Sequence, residues 1–67
     1  MGAIMEHFAI DQKWITKDGR FHGEVVEIAD EGLSGIVEII DHNGGRDTFR
    51  GTAEAFHLLP GEWQLVA

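Results

Sequence analysis

A chain of 67 residues with no cysteine forms one small domain at most, and it excludes disulfides, thiol nucleophiles and cysteine-ligated zinc. Apolar residues make up 43% of the chain and charged residues 25%, which is typical of a folded globular domain rather than a disordered segment. Twelve acidic residues against five basic residues give a net charge of -7, which disfavours direct binding to DNA or RNA.

The first segment, residues 4–15, is compatible with two structures. Ile4, Phe8 and Ile15 fit a loose helical stripe, whereas residues 7–11 also fit a strand. We predict a strand.

The start of the chain lacks the basic region and apolar run of a secretion signal, and no apolar stretch approaches the roughly 20 residues of a membrane span. We therefore expect a cytoplasmic protein with no membrane partner.

Turn residues separate short apolar runs through the middle of the chain. The Asp-Gly pair within residues 17–20 predicts a hairpin turn, and a second hairpin turn is predicted at residues 42–46 because Asn and Gly accept positive φ. The runs beside these turns are rich in Val, Ile, Phe and Trp, which favour strands. The predicted strands are 21–29, 35–41 and 47–52, with a loop at 30–34.

The register of the second hairpin can also be predicted. A turn centred on Gly44 and Gly45 places Ile40 opposite Phe49. A turn centred one residue earlier would instead place Glu38 opposite Phe49, which is a poorer cross-strand pair. We therefore predict the first register.

The last part of the chain predicts a short helical turn followed by a final strand. Residues 53–57 are helix formers but too few for a lasting helix, so they predict a single helical turn. Pro60 and Gly61 then break the chain before an alternating strand at 62–66.

Five short strands with a helical turn before the last one resemble the layout of SH3-like small barrels, which include Tudor-type and Sm-like relatives. This resemblance implies a mainly β fold, a five-stranded antiparallel SH3-like barrel spanning residues 1–67, and implies no function.

The central strands are apolar on both faces. Alternation places Ile36 and Ile40 on one face of a strand and Val37 and Ile39 on the other, although a small barrel fills only its inside. Either the chain covers the second face itself, by strand bending or with its N-terminal segment, or a second subunit or partner covers it. A small core contributes only about 3 to 5 kcal/mol of net stability, so we expect self-association.

Two tryptophans are candidates for core or interface positions. Trp63 follows the Pro-Gly break and is predicted to lie in the core. Trp14 borders a polar turn, which makes it the better candidate for an exposed recognition residue, although burial in the core is the common alternative. The interface hypothesis therefore consists of Trp14, Val26, Val37 and Ile39.

The sequence predicts no metal site, cofactor or catalytic residue. The four histidines are spread evenly instead of at ligand intervals; they are His7, His22, His42 and His57. Residues 41–47 resemble the start of a calcium loop, but Thr52 stands where that loop needs its closing glutamate, and a hairpin turn explains the same residues. A polar set of Asp47, Arg50, His22 and Glu24 could meet on a sheet surface, as on many sheets.

These observations favour a small acidic protein-binding module that associates with itself or another protein and has no activity of its own. Its acidity serves either partner choice or solubility. Two alternatives stay open: a nucleic-acid-binding barrel of Sm-like shape, and an enzyme whose site lies at a subunit boundary, since 67 residues hardly enclose both a core and a pocket.

Overall fold

The computed structural model describes residues 7–66, which form one five-stranded antiparallel sheet and one short helix. Along the sheet the strands lie in the order β4-β3-β2-β1-β5. A 3-10 segment, Asp30–Gly32, connects β2 to β3. The strands are β1 (Lys13–Ile15), β2 (Phe21–Ala29), β3 (Ser34–Asp41), β4 (Arg46–Thr52) and β5 (Gln64–Val66), and the helix α1 is Ala53–His57.

The sheet is open. Its two edge strands are β4 and β5, and within residues 7–66 no ladder of backbone hydrogen bonds joins them. The mainly β prediction, the five antiparallel strands and the helical turn before the last strand are confirmed, whereas closure into a barrel is not. No helix among the described residues has both the length and the apolar character needed to cross a bilayer.

The predicted strand at the N-terminus is largely wrong. Residues 4–6 of the segment lie outside the described part of the chain, residues 7–11 form no strand, and only Lys13–Ile15 does. The preceding residues instead lie along β2 in an irregular path, with the Asp11 amide donating to the Val25 carbonyl at 3.1 Å. This path brings Phe8 into the core, where it is almost fully buried.

The second hairpin has neither of the registers considered from the sequence. Val37 lies opposite Phe49, and the loop contains three residues, His42 to Gly44, of which Gly44 has a φ of +88°. Three-residue hairpin loops commonly end on such a left-handed residue. The observed register places Val37 and Phe49 together on the core face of the sheet, which neither two-residue turn would do.

β2 contains a β-bulge at Val26, next to the buried Val25. Val25 pairs with Val37, but the next pair is Glu27 with Ile36, so Val26 is an extra residue without a partner. The bulge leaves the Val26 side chain 51% exposed. It also moves Glu27 to the face opposite Val25, because one inserted residue reverses the alternation of side chains.

The core lies on one face of the sheet, here called the inner face, and is centred on Phe56 of α1. Phe56 is fully buried. Thr52 caps the helix, since its hydroxyl accepts a hydrogen bond from the Ala55 amide at 3.0 Å. The ring of Phe56 contacts four other aromatic rings at centroid distances of 5.0–5.7 Å: Phe8, Trp14, Phe49 and Trp63. The predicted core position of Trp63 agrees with this arrangement.

Candidate protein interface

The face of the sheet opposite the core, here called the outer face, is built by alternate residues of all five strands. Cross-strand partners share a face, so the register fixes its members. They are Lys13 and Ile15 of β1, His22, Glu24, Glu27 and Ala29 of β2, Ser34, Ile36, Glu38 and Ile40 of β3, Arg46, Thr48, Arg50 and Thr52 of β4, and Gln64 and Val66 of β5.

The outer face carries four large aliphatic side chains. Ile15, Ile36 and Ile40 are half-buried, and Val66 is 42% exposed. The helix and the aromatic core lie against the inner face. Among residues 7–66 no side chain of the outer face is fully buried, so nothing in the described chain covers this surface.

The charges of the outer face are balanced. Two ion pairs lie within it, Lys13 with Glu24 at 3.3 Å and Arg46 with Glu38 at 3.2 Å. Its remaining charges, Glu27 and Arg50, also cancel. The face therefore has a net charge of zero from three basic and three acidic residues, whereas the rest of the described chain has two basic residues against eight acidic residues.

Glu27 and Arg50 flank a shallow groove at one end of the outer face. Its volume is about 360 Å³, and Ile36 lies between the two charged residues in the same cross-strand row. In the part of the chain that the structure describes, neither charge has an ion-pair partner. They are separated by two strand spacings, or about 10 Å between backbones, so the groove has one acidic wall, one basic wall and an aliphatic floor.

The residues predicted as an interface do not form one surface. Trp14 is buried, and its indole N–H donates to the Gln12 side chain at 3.2 Å, so it is not an exposed recognition residue in this fold. Val37 is fully buried, and Ile39 packs against the core. Only Val26 is exposed. The interface hypothesis places Val37 and Ile39 on the uncovered face, but α1 packs against that face, and Ile36 and Ile40 lie on the open one.

The four polar residues that the sequence could bring together on one sheet surface do not share a face in the structure. Asp47 pairs with Ile39 on the inner side of the sheet, whereas Arg50, His22 and Glu24 belong to the outer face. Within residues 7–66 no three histidine or carboxylate side chains are close enough together to hold a metal ion.

The segment that resembles a calcium loop uses its first carboxylate to build the hairpin. The Asp41 carboxylate accepts hydrogen bonds from the amides of Asn43 at 2.6 Å and Gly45 at 3.1 Å. These two amides lower the pKa of Asp41 below its ordinary value, since they stabilise the charged form. The hairpin interpretation of this segment is supported by these contacts.

Comparison with known proteins gives no family assignment: no family model matches the sequence, and no curated protein or solved structure shows detectable similarity to the chain.

Proposed function

We propose that this protein is a small interaction module without catalytic activity, which associates with itself through the outer face. The observation that carries the proposal is the contrast between the two parts of the surface. The outer face combines aliphatic side chains with a net charge of zero, while the rest of the described surface is strongly acidic.

The charge distribution supports self-association in particular. Two copies of a chain with a net charge of -7 repel each other over most of their surfaces. The outer face has no net charge and so adds nothing to this net repulsion, and its internal ion pairs already neutralise Lys13 and Arg46. Stacking two such faces would bury Ile36 and Ile40 on both copies and add apolar burial to a small core.

We also propose a location in the cytoplasm and a relationship to SH3-like proteins. The strand order β4-β3-β2-β1-β5, with α1 between β4 and β5, supports the SH3-like interpretation. Neither point is needed for the proposed association.

A substitution of an aliphatic residue of the outer face tests the proposal. We expect Ile40→Lys to weaken self-association by at least about tenfold, because it removes apolar burial and places an unpaired cation in the contact. Sedimentation equilibrium of the wild type and the variant over micromolar to millimolar concentrations measures the effect, and far-UV circular dichroism confirms folding.

Leu58→Lys is the matched control, because Leu58 is an 80% exposed aliphatic residue that follows α1 and lies away from the outer face. It should associate as the wild type does. A wild type that stays monomeric at every concentration, or a control that dissociates as readily as Ile40→Lys, would contradict the proposal.

A further inference from the structure

We infer that the occupant of the groove at Ile36 is a second copy of this chain, seated so that Glu27 of each copy pairs with Arg50 of the other. The inference rests on the proposed function, because it specifies the partner and geometry of the same outer face. It is carried by the one acidic and one basic residue of that face that have no ion pair in the described chain.

The positions of the two charges are related by a simple symmetry. Glu27 on β2 and Arg50 on β4 are both cross-strand neighbours of Ile36 on β3, so they lie at equal distances on either side of that strand. Consider a two-fold axis parallel to β3 and midway between two stacked sheets. This axis places β2 of each copy over β4 of the other copy. Glu27 of one copy then lies over Arg50 of the second copy, and the same pair forms a second time because the interface is isologous.

The distances suit this arrangement. Sheets stack about 10 Å apart, a gap that the glutamate and arginine side chains can bridge together. Ile36 and Ile40 lie near the axis and meet their own symmetry mates, which gives the contact an aliphatic centre. Glu38 also lies near the axis, and its charge is offset by Arg46 of the same copy at 3.2 Å.

A different occupant fits less well. A strongly basic partner is favoured by the acidic remainder of the surface, not by a face whose charges already cancel. An acidic partner would meet Arg50 but also Glu27 at the opposite wall of the same groove. A second copy is the partner that satisfies both walls at once, since it presents both charges in inverted order.

Charge exchange at the two positions tests the inference. Glu27→Arg places two cations opposite each other in a symmetric dimer, and Arg50→Glu places two anions opposite each other. We expect each variant alone to associate at least about tenfold more weakly than the wild type, because like charges in a contact are strongly unfavourable. An equimolar mixture of the two variants should associate with an affinity close to that of the wild type, because both cross-copy pairs are then complementary.

The double variant Glu27→Arg/Arg50→Glu should likewise associate with itself, since it reverses both partners of each pair. Two control variants change the net charge by the same amounts away from the outer face. These are Glu54→Arg on α1 and Lys17→Glu before β2, both at exposed positions. Sedimentation velocity of each variant, the mixture and the controls gives the result.

Recovery of association in the mixture and in the double variant supports the inference. It is overturned if the single variants associate as the wild type does, if the mixture does not recover, or if the controls weaken association equally. Because Ile40→Lys tests the outer face independently, these outcomes would remove the Glu27–Arg50 pairing while leaving the proposed function intact.

Discussion

Replacement of Phe56 by alanine is expected to leave the chain largely unfolded at room temperature. Phe56 is fully buried and contacts four aromatic rings of the core. Removing a buried phenylalanine side chain costs about 3–5 kcal/mol, because the transfer free energy is lost and a cavity remains. A domain of this size has about 3–5 kcal/mol of net stability, so the substitution removes nearly all of it.

Urea denaturation followed by tryptophan fluorescence measures this loss. Leu58→Ala is the control, since it truncates an exposed side chain two residues along and should change the free energy of unfolding by less than about 0.5 kcal/mol. A Phe56→Ala variant with a native spectrum and a cooperative transition near that of the wild type would show that the aromatic cluster is not the centre of the core.

Gly32→Ala is expected to have the second largest effect. Gly32 has a φ of +94°, and a Cβ atom there would lie 2.5 Å from the backbone oxygen of Phe8. The Phe8 amide also donates to the Gly32 carbonyl at 2.7 Å, so the backbone segments at Phe8 and Gly32 are hydrogen-bonded in direct contact. Alanine adds about 1–2 kcal/mol for the left-handed conformation and about 1–3 kcal/mol for overpacking, which displaces Phe8 from the core.

Gly44→Ala separates these two costs. Gly44 has a similar φ of +88°, but apart from its two chain neighbours no described residue has an atom within 4 Å of the position that a Cβ would take. We expect it to lose only about 1–2 kcal/mol of unfolding free energy, from the backbone conformation alone. Equal losses for the two variants in thermal or urea denaturation would indicate that the contact between Gly32 and Phe8 is unimportant.

The strands and turns of this protein could be predicted from sequence because their signals are local. The Asp-Gly pair at 18–19 and the Asn-Gly-Gly run at 43–45 mark two turns, and the apolar and aromatic segments beside these turns form β2, β3 and β4. The short helix followed equally from a brief run of helix formers. In each case the preference of a few neighbouring residues agrees with the final structure.

The faces of the strands could not be assigned in the same way, because both sides of β3 carry aliphatic residues. The choice depends on where α1 docks, which is a long-range property. The bulge at Val26 had a usable signal: uninterrupted alternation from Val25 would have placed Glu27 in the core, and a buried unpaired carboxylate is costly. Accounting for that cost would have placed Glu27 on the same face as Ile36.

The irregular path of the N-terminal segment could not be predicted, for a related reason. Phe8 belongs to no strand, and its burial depends on contacts with Gly32 and Phe56, which are distant in sequence. Trp14 takes the core alternative because polar neighbours in sequence do not determine which way a strand residue faces. Its register opposite Gly23 and Leu65 turns it inward.

The claim that the outer face is the contact between copies is tested most directly by amide chemical shifts of the wild type in a dilution series. We predict concentration-dependent shifts concentrated in β2, β3 and β4 around Glu27, Ile36 and Arg50, with residues of α1 and Leu58 unchanged. Shifts confined to the edge strand β5 or to α1, or a spectrum that does not change with concentration, would contradict it.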